Sequence, residues 1–338
     1  MQHEEKQLHE TVPLCDAKGL LNPESIGFSH NPLVVSNLKG QFMKKKRWNH
    51  WCIYGEDLLF SATIVHLDYK AICLIYILNY ETQRFYEKYV SIPLGRRVHM
   101  PHEPLESVKF IHDEITLQII YMQGETHLTV TIPDFDNERL HADLHIIHPE
   151  KDESLNVVVP RSRESFHYTS KHTILPTGGF VIVGDRRYDF NPYYSFAVYD
   201  FGRGVWTKMA KWEWAMASQR TSGKRVGLNL GGSWTDGTGL TENAVFVEGT
   251  MYKFHEDVLF THSTDDLLSS WSVNTKFSDD ISLVFKPFFQ NQTLEHYFMR
   301  KMYVNQIVGY YHGKIRLPNG QILPIRQMLG SILERRYL

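Results

Sequence analysis

Asp200 is the residue of this 338-residue chain whose setting first suggests acid–base chemistry. It ends the apolar run Tyr194–Asp200 and, at the period of two typical of a strand, shares one face with Phe196 and Val198. A carboxyl group among apolar neighbours has a raised pKa, so it can keep a proton near neutral pH and donate it to an alkene or an enol. Arg203 would then tune the acid. The alternative is that Arg203 pairs with Asp200 in a structural clamp that keeps the carboxylate charged.

The segment Gly227–Asn243 is the second candidate, since five of its seventeen residues are glycine and most of the others are small and polar. Such a loop is held by hydrogen bonds rather than by burial, and long ordered loops are often functional. Asp236 and Glu242 could divide acid and base roles if their environments differ. Alternatively, Asp236 forms a turn with Gly237 and Glu242 lies at a barrel rim. Asn229, Asp236 and Glu242 are expected to orient water or substrate. The ligand-binding residues expected here are Asn229, Trp234 and Asn243.

Tryptophans supply candidate walls for a binding pocket. Trp48, Asn49 and His50 lie on a predicted strand, with Trp48 and His50 on one face and Asn49 on the other. An inward Trp48 and His50 would combine an aromatic wall with a titratable group; the alternative is a packed indole beside a hydrogen-bonded histidine. A second strand is predicted from Val205 to Ala217. It carries Trp206, Trp212 and Trp214 at even spacing, so they share one face. They line either a core or a ligand pocket.

The elements that must position these residues are strands. Period-two alternation is clear in Arg139–Ile146 and recurs along most of the chain, which predicts an all-β protein. The polar, proline-containing stretch that begins at Val159 separates two series of strands, so we expect two consecutive antiparallel barrels or sandwiches. The predicted divisions are a polar, disordered N-terminal extension (1–22), an N-terminal β domain (23–162) and a C-terminal β domain (163–338). Helical spacing occurs only in Ile325–Arg336, which predicts a short C-terminal helix.

Composition excludes several classes of function. With 36 basic and 38 acidic side chains the net charge is −2, which favours neither nucleic acid nor anionic lipid as a partner. The three cysteines have no metal or disulfide spacing, and His141 and His145 lie roughly 13 Å apart along one strand, so no metal site is expected. No glycine motif for a dinucleotide or a phosphate occurs, so no cofactor is expected. No signal peptide and no apolar run of about 18 residues occurs, so we expect a cytoplasmic protein without integral membrane contact.

Four separated strings, in order, resemble a largely bacterial family known as domain of unknown function 2804. They are Gly27–Leu33 (GFSHNPL), Lys46–Trp51 (KRWNHW), Asp200–Trp206 (DFGRGVW) and Gly227–Asn243. That family is distantly similar to the lipocalin-like group of carotenoid hydratases, AttH proteins and tocopherol cyclase, in which two β-barrel-like domains follow each other. The resemblance implies a lipocalin-like fold with a large apolar pocket and, in the enzymes of the group, acid chemistry on alkenes.

These observations predict a protein that binds a small, largely apolar molecule. One hypothesis adds cofactor-free acid–base chemistry of the hydratase, isomerase or cyclase type, with Asp200 as the proton donor. A second is a non-catalytic carrier or sensor of a lipid-like ligand. A third is carbohydrate binding or hydrolysis, because Trp, Asp, Glu and Asn also serve sugar sites. No protein partner is implied.

Overall fold

The chain folds almost entirely into β-structure. The computed structural model describes residues 3–206, 211–297 and 300–337, and within these ranges the only helical segment is the single 3₁₀ turn Pro23–Ser25. Two compact units are present: the N-terminal unit (Gln7–Trp206) and the C-terminal unit (Met1–Lys6 with Thr207–Leu338). Each contains a curled antiparallel sheet of the half-barrel type, which is the predicted two-part lipocalin-like arrangement. No helix in the described parts of the chain is long and apolar enough to cross a membrane.

Fifteen strands form the N-terminal unit. They are β1 Val12–Pro13, β2 Gly27–Ser29, β3 Val34–Val35, β4 Lys45–Tyr54, β5 Leu58–His66, β6 Lys70–Asn79, β7 Phe85–Pro93, β8 Val108–Ile111, β9 Thr116–Met122, β10 Glu125–Phe135, β11 Glu138–Ile147, β12 Leu155–Ser162, β13 Ser165–Val183, β14 Arg186–Phe190 and β15 Phe196–Val205. The main path of the large sheet is β7-β6-β5-β4-β15-β13-β11-β10-β9-β8, and β1 pairs with β3 in a separate parallel ribbon.

Strand β13 is the central element of this sheet. Its first part pairs with β12 and β15, and its last part pairs with β11 and β14. The register with β15 shifts between His172 and Leu175, where Ile174 has a φ of 51°. A bulge of this kind bends a strand and increases its twist. One continuous strand can therefore serve both parts of the curled sheet.

The core of the N-terminal unit is a filled apolar face. Trp51 of β4 and Tyr199 of β15 are cross-strand partners and stack with ring centroids 4.1 Å apart. In β11, Leu140, Ala142 and Leu144 are fully buried while their neighbours face outward, which confirms the alternation predicted for this stretch. Burial of one face by alternating apolar residues is what sets the register of such a strand.

Nine strands form the C-terminal unit, in the order β19-β18-β17-β16-β24-β23-β22-β21-β20. They are β16 Trp212–Thr221, β17 Lys224–Gly232, β18 Asn243–Val247, β19 Thr250–Phe254, β20 Val258–Thr261, β21 Trp271–Thr275, β22 Ile281–Tyr297, β23 Arg300–Arg316 and β24 Ile322–Tyr337. All pairings are antiparallel, and β24 completes the sheet by pairing with both β16 and β23.

The predicted C-terminal helix is wrong, because Ile325–Arg336 lies within β24. The pairing with β23 shifts register between Tyr311 and Gly313, and Gln327 has a φ of 51°. Leu323 and Ile325 are buried before this irregularity, and Met328 and Ile332 are buried after it. One inserted residue therefore changes the spacing of buried positions from two to three, which imitates a helical period.

The two units divide after Trp206 rather than at the predicted junction of 162 and 163. The polar stretch there forms the hairpin between β12 and β13, in which Ser162 pairs with Ser165. Polar residues and proline suit an exposed hairpin as well as a linker. The described part of the predicted extension, from residue 3 to residue 22, is not a separate or disordered piece, since Leu8, Leu14 and other side chains in it are buried in the core. Its residues up to Lys6 belong to the C-terminal unit.

Candidate functional site

Three titratable side chains form a row across neighbouring strands of the N-terminal unit. Asp200 on β15 is the register partner of His50 on β4 and of Lys171 on β13. All three are buried, and Asp200 is only 4% exposed. Cross-strand partners in a sheet project their side chains to the same face. The sheet therefore concentrates a carboxylate, an ammonium and an imidazole on the face opposite to Trp51 and Tyr199.

Three donors hold the carboxylate of Asp200. The Trp48 indole donates from Nε1 to Oδ2 at 2.7 Å, and the Thr169 hydroxyl donates to Oδ1 at 2.8 Å. The Lys171 Nζ lies 3.0 Å from the same Oδ1, with both side chains of this ion pair almost fully buried. The ion pair and the hydrogen bonds compensate for the solvation that the carboxylate loses on burial.

The pKa of Asp200 is lowered, whereas a proton donor was expected to have a raised pKa. Burial raises the pKa of this carboxyl, but Lys171, Trp48 and Thr169 together outweigh burial and hold the pKa below its ordinary value. Hydrogen bonds and a cation that favour the charged form act in this direction. Asp200 is therefore a carboxylate at neutral pH and carries no proton to supply.

Arg203 does not pair with Asp200. A separation of three residues on a strand places the two side chains on opposite faces, and Arg203 lies on the core face with 1% exposure. Its guanidinium donates to the carbonyls of Trp48, Gly202 and Pro101 and to Oδ1 of Asn49. Burial lowers the pKa of Arg203 to about 9. Asn49 and Arg203 thus support the strands beneath the site, and the predicted clamp between Arg203 and Asp200 is not present.

Aromatic rings cover the carboxylate. Trp48 stacks on His167 with centroids 5.1 Å apart, and Trp206 meets Trp48 edge-on at 5.5 Å. The Lys46 ammonium lies 4.7 Å from the centroid of the Trp206 ring. Gly202 permits this arrangement, since a Cβ there would lie 2.0 Å from the Trp48 ring. The string from Asp200 to Trp206 therefore supplies the acid, the space for one indole and a second indole.

Two buried histidines flank the ion pair. Burial lowers the pKa of His50 to about 4 and that of His167 to about 3, with Asp200 opposing and Lys171 reinforcing the decrease. Both rings are therefore neutral at physiological pH, and His50 contacts the Thr63 hydroxyl at 2.7 Å through Nδ1. The sequence reasoning missed His167, Thr169 and Lys171. These three residues lie two positions apart on one strand, so the sequence does indicate that they share a polar face.

The candidates in the glycine-rich segment belong to the C-terminal unit. Asn229 accepts a hydrogen bond from Trp214 Nε1 at 2.8 Å and donates to the Glu242 carbonyl at 2.6 Å. Asn243 accepts from the Gly231 amide and donates to the Glu256 carbonyl, each at 2.8 Å. Both asparagines are fully buried. Their hydrogen bonds hold strands and loop together, as the scarcity of apolar residues in this segment required.

The remaining predicted residues are distributed over both units. Asp236 is exposed in a turn with Gly237, which matches the structural alternative, whereas Glu242 is buried and its charge acts on Lys253. Trp206 follows the last residue of β15 while Trp212 begins β16, so the single strand predicted to carry both is wrong. Trp212, Trp214 and Trp234 lie in the C-terminal unit, whereas Trp48 and Trp206 lie in the N-terminal unit. Of the four indoles predicted to line a pocket on two strands, two therefore belong to each unit.

The C-terminal unit has a polar cleft of about 440 Å³. Its lining includes Asp265, Gln292, Tyr303 and Arg336. Beside it, Glu334 accepts hydrogen bonds from Asn305 at 2.5 Å and from His262 at 3.1 Å. Burial raises the pKa of Glu334, but these bonds and the charges of His262 and Arg336 lower it overall. This lining suits a polar ligand better than an apolar one.

Comparison with known proteins places the chain in a family. The family model described as "Domain of unknown function (DUF2804)" matches residues 5–337. The chain belongs to the DUF2804 family. No curated protein sequence matches it. In structure, this DUF2804 protein is similar to kievitone hydratase from Nectria haematococca, with a TM-score of 0.52 and 11% identity over 99% of this chain and 97% of that one. It is also similar to a candidate AttH protein from Nitrosomonas europaea, with a TM-score of 0.48 and 11% identity over 97% of this chain and 100% of that one. At such identity the likeness concerns the fold.

Proposed function

We propose that the N-terminal unit of this DUF2804 protein binds a small, largely apolar molecule beside Trp48 and Trp206 and catalyses cofactor-free addition or removal of water. The observation that carries the proposal is the buried Asp200–Lys171 ion pair, 3.0 Å between Oδ1 and Nζ, under two indoles. A buried acid–base pair with perturbed neighbours beside an aromatic surface is typical of a catalytic site.

The partial exposure of the side chains that cover Asp200 supports access by a ligand. Trp48, Trp206 and Lys46 are half-buried, whereas Asp200 and Lys171 are buried beneath them. An apolar ligand that stacks on the indoles would bring its reactive carbon atoms near the ion pair. Indole faces bind flat, unsaturated molecules through large contact areas.

The charge states give each group a role. In hydration of a conjugated double bond, Asp200 takes a proton from water as the water oxygen bonds to the carbon remote from the activating group. The electron pair of the double bond moves toward that activating group, and the Lys171 ammonium stabilises the negative charge that develops there. The neighbouring carbon then takes one proton, and the proton on Asp200 returns to solvent. The net reaction adds one water, and its reverse removes one.

The substrate also adjusts the base. When the Lys171 ammonium turns toward an anionic oxygen of the substrate, it no longer lowers the pKa of Asp200, which rises and makes the carboxylate a stronger base. The kievitone hydratase of similar fold is a hydratase by name, so water addition is the first reaction class to test.

A non-catalytic carrier remains the second candidate. The observation that favours it is the complete set of donors around Asp200, since an anion that is fully satisfied by Trp48, Thr169 and Lys171 also suits a purely structural role. A carrier would hold its ligand on the same indoles without converting it.

The test is isotope incorporation in a panel of small apolar compounds that carry a conjugated double bond or a β-hydroxyl group. Each compound is incubated with the full chain in H₂¹⁸O and examined by mass spectrometry for added or exchanged oxygen. We expect conversion by the wild type, at least a 100-fold lower rate for Asp200→Asn and Lys171→Met, and no change for Asp189→Asn, whose side chain is 71% exposed. Conversion retained by Asp200→Asn would overturn the mechanism, and binding without conversion by the wild type would establish the carrier.

A further inference from the structure

We propose that His127, Asp143 and His145 form a binding site for a divalent transition metal such as Zn²⁺ on the outer face of strands β10 and β11. This site is separate from the Asp200 site and does not depend on the proposed reaction. The sequence predicted no metal site, because His141 and His145 lie far apart along one strand. The proposed site instead combines residues of two neighbouring strands.

The pairing of the two strands creates the cluster. His127 on β10 is the register partner of His145 on β11, and Asp143 precedes His145 by two residues on the same face. The side chains on the opposite face, among them Leu128 and Leu144, are fully buried in the core. The hairpin therefore presents all three side chains on the solvent side of the sheet.

The distances are those of a preformed ligand set. The His127 Nε2 lies 2.7 Å from Asp143 Oδ1, and the His145 Nε2 lies 3.4 Å from the same oxygen. One ligand atom from each of the three residues lies within 4.8 Å of the others. Tetrahedral zinc with bonds of about 2.0–2.1 Å keeps its ligand atoms about 3.3 Å apart. The His127–Asp143 separation has to widen slightly to admit the ion.

A neighbouring carboxylate orients one ligand. The Glu125 Oε1 lies 2.7 Å from Nδ1 of His145, and this contact leaves Nε2 of His145 for the metal. Metal-binding histidines usually donate their second ring N–H to a carboxylate or carbonyl in this manner. The rings of His127 and His145 are also nearly parallel, with an interplanar angle of 14° and centroids 4.4 Å apart.

The ligand types select the metal. Two imidazoles and one carboxylate suit Zn²⁺, Co²⁺, Ni²⁺ or Cu²⁺, whereas Mg²⁺ and Ca²⁺ prefer oxygen ligands alone. Three protein ligands leave a further coordination position open to water. A metal bound here joins two strands through their side chains, so it also stabilises the folded N-terminal unit by mass action.

The test is calorimetric titration of the full chain, without a polyhistidine tag and after EDTA treatment and dialysis, with ZnCl₂ and separately with MgCl₂. We expect one Zn²⁺ site that is at least 10-fold weaker in His127→Gln, in Asp143→Asn and in His145→Gln, and about 10-fold weaker in Glu125→Gln. His141→Gln is the matched control, because His141 is on the same face of β11 and contacts Thr131 instead. Its affinity should equal that of the wild type.

A second readout separates metal binding from a general effect on folding. Saturating Zn²⁺ should raise the Tm of the wild type and of His141→Gln but leave that of the His127→Gln/His145→Gln double variant unchanged. Equal affinity of the double variant and the wild type would overturn the site, as would absence of Zn²⁺ binding or binding of Mg²⁺ as tight as that of Zn²⁺.

Discussion

Acidification from pH 7 to pH 5 should strongly destabilise the N-terminal unit, because three of its buried histidines fold in the neutral form. Burial lowers the pKa of His50 to about 4, and that of His167 and of His172 to about 3, from the value of 6.5 for an exposed histidine. The unfolded chain therefore binds these protons between pH 6.5 and pH 4 while the folded chain does not. A group whose folded pKa is lowered contributes its full stability above the unfolded pKa and loses it as the pH falls.

The magnitude follows from the two pKa values. At pH 5, protonation favours the unfolded state by about 2 kcal/mol for each such histidine, whereas at pH 7 it favours it by only about 0.2 kcal/mol. The three histidines together should lower the free energy of unfolding by about 5–6 kcal/mol. Asp200 adds little in this interval because its folded pKa lies below 3.8, so its contribution is lost only at lower pH. His262, in the C-terminal unit, has a raised pKa and acts in the opposite direction.

The assay is urea unfolding at pH 7, 6 and 5, followed by tryptophan fluorescence. The wild type is compared with His172→Gln and with the control His99→Gln, whose side chain is exposed. His172→Gln should lose about 2 kcal/mol less than the wild type between pH 7 and pH 5, while the control should follow the wild type. A wild-type loss below about 2 kcal/mol, or equal losses in all three proteins, would refute the reasoning.

Three further predictions concern packing and buried charge. Asp200→Asn and Lys171→Met should each lower the free energy of unfolding by about 3–5 kcal/mol, because each leaves a buried charge without its partner. The double variant should lose less than the sum of the two. Urea unfolding of the wild type, both single variants and the double variant measures this coupling. Gly202→Ala should cost about 1–3 kcal/mol and change the fluorescence of the displaced indole, whereas Gly231→Ala, where a Cβ meets no atom closer than 3.5 Å, should be nearly neutral. Glu5→Gln should lower the stability of the C-terminal unit by about 3 kcal/mol, because the 0% exposed carboxylate pairs with a buried ammonium at 2.9 Å; an unchanged Tm would contradict this.

The sequence was sufficient for the fold class and for four residues that the structure brings together, Asp200, Trp48, His50 and Trp206. Alternating apolar positions predicted the strands, and the carboxylate at the end of an apolar run directed attention to Asp200. The orientation of Arg203 could also have been predicted from the sequence. Side chains three positions apart on a strand lie on opposite faces, so Arg203 points away from Asp200. Applied consistently, that rule excludes the Asp200–Arg203 pair without a structure.

Other features depend on pairing that one sequence does not reveal. Lys171 reaches Asp200 only because β13 pairs with β15 in one register, and that register precedes a bulge near Ile174. The bulge at Gln327 likewise made a strand resemble a helix. The contact of His127 with Asp143 also arises between two strands, so it could not be predicted from the spacing of histidines along one strand. The pattern within one strand fixes which of its faces is buried, but it does not reveal which distant strand pairs with it or where a bulge shifts the pairing.

The most direct test of the central claim is ¹⁹F NMR of the chain labelled with 5-fluorotryptophan, titrated with a compound that is converted in the isotope assay. Seven tryptophans give seven resonances, which single Trp→Phe variants assign. We predict that the signals of Trp48 and Trp206 shift with ligand concentration and that Asp200→Asn moves the Trp48 signal before ligand is added, since it alters the acceptor of the indole N–H. Shifts confined to Trp212, Trp214, Trp234 or Trp271, with Trp48 and Trp206 unmoved, would contradict the proposed site.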